Sequence, residues 1–356
     1  MLRLFVRRSR DVSYFTNDPA LELDGVRDGD AGWWLRGSGD TRDSSDVQRV
    51  FASTGRSRVE GYDIVVAAPR PISILVAIDP AHARGVVDAH RASVAASIWY
   101  LEQRGLVVRD QRGGELRDDP ARWTSVVGFT HGMNRHAEPH LHDHVLVGAR
   151  PAGADRVLDS RSLFAHVPAA DALYRASLRH ELAARTPWVA WRSFQGVEQV
   201  DRLDEGYRAL WGGHHDDRGE KLSWKRDEVV RAWARDCERF ESHGVISMPS
   251  RSRDAIDEHS FAAALEGRVG VARRDLVSAW ANASVFGGSP RDISVSIDRL
   301  YPQLVDSRGV RESFISVNRA RMTSLVNVRG PRPVRSSELE RWDQRCVERS
   351  RYERSR

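Results

Sequence analysis

The chain has 356 residues, 40% of them hydrophobic and 8% aromatic, with 11 tryptophans; this leaves room for two domains at roughly 150 residues each and excludes a disordered chain, which is poor in aromatics. Its two cysteines, Cys237 and Cys346, exclude a disulfide framework or a cysteine metal cluster, so any metal site must use His, Asp or Glu. The formal net charge of +5 suits a nucleic-acid partner through counterion release, although lysine occurs only at Lys221 and Lys225 and so much arginine has an equally good source in a GC-rich genome.

Met1 to Arg8 lacks the apolar stretch and cleavage site of a secretory signal, and no run of about 18 apolar residues follows, so a cytoplasmic protein without a membrane segment is expected. Leu2 to Val6 reads as one strand or a short helix. The Gly- and Asp-rich text after it, with Trp33-Trp34, reads as ordered loop that builds little core. Tyr62 to Ala68 is a β-branched run closed by Pro69 and Pro71, a buried strand because proline ends ladder pairing. From Pro80 to Arg104, Val86, Val87, Val94, Ala95, Ile98 and Leu101 recur at three- and four-residue steps. That spacing predicts a long amphipathic helix stopped at Gly105, one face packed on a sheet.

Ser125 to Thr130 and His142 to Gly148 read as neighbouring antiparallel strands joined by a polar segment holding Pro139. Ala169 to Ala184 is helical and Pro187 to Phe194 strand-like. Arg226 to Phe240, Ser260 to Glu266 and Arg273 to Ala283 are helical patterns, and Arg329 to Arg356 is a charged tail. The expected organisation is an α+β domain over 1–200, a central antiparallel sheet flanked by helices, then a mainly helical accessory region over 201–328 and a tail over 329–356. No repeat and no GxxxxGK[ST] segment is present, which removes an ATP-driven motor.

The strongest chemistry lies between Phe129 and Val145, where five of the 13 histidines sit. Residues two apart on a strand share a face, so His142 and His144 project together while Leu141, Asp143 and Val145 face the other way. His131, at the end of the preceding strand, supplies a third nitrogen once the two strands fold side by side; three neutral imidazoles suit a divalent metal with open positions. A lone histidine on a sheet is more often hydrogen-bonded or solvated than ligating, and the spaced triple is what favours ligation here. A zinc hydrolase would need an HExxH helix, which is missing.

The segment resembles the relaxase domain of MobF-type, TrwC-like conjugative relaxases, members of the HUH endonucleases. The family pattern of a His, an Arg four residues later, a Pro eight later and then Leu-His-x-His is met by His131, Arg135, Pro139, Leu141, His142 and His144. A second block, Asp63 to Leu75, is similar to the family's Asp-strand-Ala-Pro-Lys-Ser-Val-Ser segment, with Arg70 in place of Lys. Leu173-Tyr174-Arg175 and His180-Glu181-Leu182 resemble the helix after the histidine strand, so the likeness spans roughly residues 1 to 200.

This resemblance implies site- and strand-specific nicking by a tyrosine that keeps the DNA 5′ end as a phosphotyrosyl intermediate. The expected cofactor is a divalent ion, Mg²⁺ or Mn²⁺ with Zn²⁺ as a third candidate, held by His131, His142 and His144. In the family the nucleophile lies near the N-terminus, usually in Tyr-Tyr pairs, and the one tyrosine before residue 60 is Tyr14, followed by Phe15. A two-tyrosine cycle within one protomer is thereby put in doubt. Asp63 is expected by this resemblance to orient a ligand histidine or to assist deprotonation of Tyr14, the orienting role being preferred, while an Asp opening a strand also has a plain capping role as its bland alternative. Arg70 and Arg135 are expected to contact phosphates.

Expected partners are single-stranded or hairpin origin-of-transfer DNA, with conjugation accessory and coupling proteins as further candidates. Trp33, Trp34 and Trp123 are candidate base platforms, though tryptophan is more often core. The competing readings are a rolling-circle replication initiator using Tyr174, which follows the histidine strand, and a non-catalytic DNA-binding relative.

Overall fold

A computed structural model of the chain describes residues 1–16, 22–23, 26–27, 30–36, 50–51, 58–112, 115–134, 136–151, 156–185, 191–194, 197–200, 226–237, 256–268, 270–304 and 314–316. In chain order the first elements are β1 (Leu2–Arg7), α1 (Ser13–Thr16), β2 (Glu22–Leu23), β3 (Val26–Arg27), β4 (Asp30–Arg36), β5 (Gly61–Ala67), α2 (Arg70–Ile78) and α3 (Pro80–Arg104). They continue with β6 (Val107–Arg112), β7 (Glu115–Pro120), β8 (Val126–Met133), β9 (Pro139–Gly148) and α4 (Ser160–Arg185). Beyond these come β10 (Trp191–Phe194), β11 (Val197–Val200), α5 (Arg226–Cys237), α6 (Glu258–Ala264), β12 (Gly270–Ala272), α7 (Arg273–Ala283), α8 (Pro290–Leu300) and β13 (Phe314–Ser316).

The fold is α+β, an antiparallel sheet flanked by helices and followed by a mainly helical segment. Five strands make that sheet, in the order β1-β5-β9-β8-β4. Period-two alternation gives it two unlike faces. Tyr62, Ile64, Val66, Val126, Val145 and Val147 point rearward and are buried in the main core, which α3 and α4 cover. Fully burying each such side chain is worth about 1.5–3 kcal/mol. The opposite face carries the rungs Phe5–Asp63–Leu146–Val127, Arg3–Val65–His144–Phe129 and Ala67–His142–His131. Only part of this front is closed, by a second cluster in which Val12, Phe15, Val50 and Phe51 cover Val127, Phe129 and Leu146.

Gly61 is one place where that cover comes close. A Cβ built there would lie 2.2 Å from the Val147 carbonyl oxygen and 2.6 Å from the Phe51 ring. Gly61→Ala is therefore expected to destabilise the chain by about 1–3 kcal/mol through overpacking, read as a lower denaturation midpoint; an unchanged midpoint would contradict this packing.

The helical segment shares the main core. Gly287, at φ 77°, comes so near α4 that a Cβ would lie 2.0 Å from the Ala176 carbonyl oxygen. Arg179 of α4 donates to the carbonyls of Ala281 and Ser284, each at 3.1 Å. Buried Arg273, which opens α7, pairs with Asp298 of α8 at 2.5 Å.

Several expectations are corrected. Leu2 to Val6 does form a strand, but the stretch after it is not loop with little core: it supplies the other edge strand, β4, and four of the seven residues of the front cluster. Trp33 and Trp34 lie within β4. The histidine strand starts at Pro139 rather than His142, because proline is tolerated as the first residue of a strand. The helix expected from Ala169 starts at Ser160 and runs through Pro168. That proline lies exposed, so its ring meets solvent, and the Asp159 side chain caps the start by accepting from Arg161 N–H at 3.0 Å. Helix α2 and the β6–β7 hairpin were not anticipated; Pro71 in the first turn of α2 suits a helix start. Of Pro187 to Phe194, residues 187–190 lie outside the described residues, as do the tail and Phe240.

Candidate metal centre and nucleophile

On adjacent strands β8 and β9, His131 stands directly opposite His142, with His144 two residues on along the same face. The ring centroids are 5.1 Å apart for His131–His142, 5.2 Å for His131–His144 and 5.3 Å for His142–His144. One nitrogen from each lies within 4.8 Å of the others. The second nitrogens are assigned: His142 Nδ1–H donates to the His140 carbonyl at 2.8 Å, and His144 Nδ1–H donates to the Asp63 carboxylate, 3.0 Å from both oxygens. Both Nε2 atoms are thereby left as lone-pair donors.

Burial sets the protonation state. The His131 pKa is pushed down to about 4, first by burial and then by neighbouring His144. His142 is held well below the usual imidazole value, again by burial first and then by His140, His131 and His144. Both rings are therefore neutral at pH 7, as metal ligands must be. The buried Nε2 of His131 has no hydrogen-bond partner among the described residues. Such an orphan is costly, and a cation bound by three nitrogens would satisfy it, so the residues present fit a divalent ion.

Tyr14 comes to the same place from a different element. Its ring centroid is 6.2 Å from that of His131 and 6.0 Å from that of His144, and the residue is 45% exposed. Neighbouring Phe15 is buried, its ring 5.2 Å from that of Phe129 and 5.1 Å from that of His144. The Asp11 carboxylate caps the turn by accepting from Ser13 N–H at 2.9 Å, which holds its pKa below the usual value. The Arg7 guanidinium lies 5.2 Å from the Phe15 ring and 5.4 Å from the Phe51 ring and donates to the Asp11 carbonyl. Tyr14 is thus presented by an anchored turn.

The remaining expected residues are placed less directly. Arg70, at the start of α2, has its guanidinium 3.5 Å from Glu138, in the connection between β8 and β9. Arg135, in that same connection, lies outside the described residues. Trp123 is buried in the main core and presents no platform. Tyr174 is fully buried on the rear side, its hydroxyl 2.7 Å from His90 Nδ1. His90 Nε2 in turn lies 3.5 Å from Asp143, the residue between the two strand histidines, and both are fully buried.

Sequence reasoning missed two neighbours. His140 shares the face of His142 and His144, with its ring 4.7 Å from that of His142, and its even number on the strand was the available signal. Ser73 of α2 accepts from Leu141 N–H at 3.0 Å and pins the start of the histidine strand; nothing in its local sequence advertised a contact 68 residues away.

An antiparallel sheet carrying three clustered histidines, two of them buried, with a tyrosine beside them defines an α+β protein with a candidate metal centre on one sheet face. The family model described as TrwC relaxase matches residues 20–212. The chain belongs to the TrwC relaxase family. Among solved structures, it is similar in fold to TrwC complexed with a 27-mer DNA comprising the recognition hairpin and the cleavage site: 19% identity over 67% of this chain and 98% of that one, TM-score 0.50. It is likewise similar to the conjugative relaxase TrwC in complex with OriT DNA in a copper-bound structure (20%, the same coverage, TM-score 0.53) and in a metal-bound structure (19%, the same coverage, TM-score 0.52). No curated protein sequence matches the chain. No helix among the described residues is long and apolar enough to cross a membrane.

Proposed function

We propose that this chain is a DNA relaxase that nicks one strand by tyrosine transesterification, as part of conjugative transfer. The observation that carries the reading is the convergence of exposed Tyr14 on three mutually close imidazoles. Membership of the relaxase family and likeness to relaxase–DNA complexes support the same substrate. His131, His142 and His144 would hold a divalent ion, which when bound supplies Lewis-acid polarisation of the scissile phosphate.

The Tyr14 phenolate oxygen, having lost its proton to solvent, attacks phosphorus in line. A P–O(Tyr) bond forms as the P–O3′ bond breaks; the 3′ oxygen takes a proton and the DNA 5′ end stays on Tyr14. Asp63 fixes the ring of His144 through Nδ1–H so that Nε2 faces the centre. Arg70 and Arg135 contact the flanking phosphates, and residues 201–328 act as an accessory region to a relaxase domain over 1–200.

The test is to incubate the protein with a labelled single-stranded oligonucleotide library, with Mn²⁺ or Mg²⁺ and with excess chelator. A covalent adduct mapping to the Tyr14 peptide, lost on chelation and restored by the ion, is the expected result. Cleavage undiminished in chelator would refute the metal reading. Asp63→Asn keeps the shape but weakens the grip on His144, and metal affinity is expected to fall about 10–100-fold. Isothermal titration measures this, and wild-type affinity would remove the orienting role.

A further inference from the structure

Helix α5 lies beyond the stretch matched by the family model, yet it reaches the connection between the two histidine strands. Trp233 of α5 is 3% exposed, and its indole Nε1–H donates to the Ala137 carbonyl oxygen at 2.7 Å. Ala137 has a φ of 58°, a left-handed conformation that residues with a Cβ rarely hold unless their surroundings impose it. The described residues around it are tied together by hydrogen bonds. Asn134 Oδ1 accepts from His136 N–H at 2.9 Å and Glu138 N–H at 3.0 Å, and the Asn134 carbonyl accepts from Ala137 N–H at 3.1 Å.

The shape of this connection decides strand register. Pro139 pairs with Met133, one irregularity follows, and His142 then stands opposite His131. A slip of one residue would carry His142 and His144 to the rear face.

We propose that Trp233 is a positioning residue of the metal centre, its indole N–H latching the Asn134–Pro139 connection in the strained shape that keeps His142 and His144 in register with His131. The proposal rests on the reading of those three histidines as metal ligands. It also makes the helical half of the chain a working part of the site.

The test uses the full-length, metal-free protein. Co²⁺ titration followed by visible absorption reads the site, and hydrogen exchange of the peptide spanning residues 134–140 reads the latch. Trp233→Phe keeps a ring in the core and deletes the donor. The Co²⁺ dissociation constant is expected to rise on the order of 10-fold, the scale on which support outside the ligand set tunes a metal, and exchange in the peptide to accelerate.

Adding Ala137→Gly should restore both, because glycine holds a positive φ without strain. If Trp233 only fills space, Trp233→Phe lowers the melting temperature while the dissociation constant stays put and Ala137→Gly restores nothing; that result overturns the proposal. Should Trp233→Phe fail to fold, Ala137→Val leaves Trp233 in place and strains the same residue further. A raised dissociation constant there supports the latch, and an unchanged one overturns it. If wild-type protein binds no Co²⁺, the ligand reading falls, and the exchange measurement alone decides the latch.

Discussion

Tyr14→Phe is expected to abolish covalent adduct formation while fold, metal binding and DNA binding persist. Phenylalanine keeps the ring in its place between Phe15, 5.0 Å away, and the histidines, and removes only the attacking oxygen. Loss of a covalent nucleophile costs roughly 10⁶-fold in turnover where it has been measured in other enzymes, so cleavage should fall below detection rather than merely slow. Tyr174→Phe is the matched control. It removes a hydroxyl that bonds His90 behind the sheet, which costs stability of about 1 kcal/mol but leaves the front face untouched. The readout is a denaturing gel of protein with labelled single-stranded DNA. An adduct in the Tyr14 variant and none in the Tyr174 variant would instead establish the replication-initiator order of residues.

His142→Ala is expected to eliminate metal-dependent nicking with little change in DNA affinity. The substitution removes one of three nitrogens from a site in which no other described histidine completes the group. Losing a ligand should exceed the roughly 10–100-fold cost of losing an outer support. Affinity for the strand is expected to rest instead on arginine contacts to phosphate. Nicking assays and metal titration on one preparation, with circular dichroism confirming the fold, separate these effects. Full nicking activity in the variant would end the assignment of this centre.

How far the sequence was legible varies with the range of the forces involved. Helix α3 could be read to its last residue because its signal is local periodicity, ended by Gly105. His142 and His144 could be placed on one face because strand alternation is equally local, and His131 because a short connection leaves a neighbouring strand few places to lie. The contribution of β4 was not legible: Trp33-Trp34 shows no alternation, and its partner strand lies about a hundred residues away. The same holds for Trp233 and Ala137, whose hydrogen bond joins residues 96 apart. Tyr14 sits in a four-residue helix too short to leave a pattern, and family likeness alone singled it out.

The division of the sheet into a large rear core and a small front cluster bears on how the candidate metal centre and the turn bearing Tyr14 fluctuate. The histidine strands are bonded on both sides at the middle of the sheet and backed by the main core, so displacing them means opening the whole fold. The turn bearing Tyr14 rests on a smaller base, whose described parts include the cluster of seven side chains, the Arg7 guanidinium and the Asp11 cap. Local opening free energies follow the contacts that must be broken. On the proposed mechanism the turn bearing Tyr14 is expected to open at lower cost than the histidine strands, so that a DNA end attached to Tyr14 could leave the three histidines and come back without the fold dissolving.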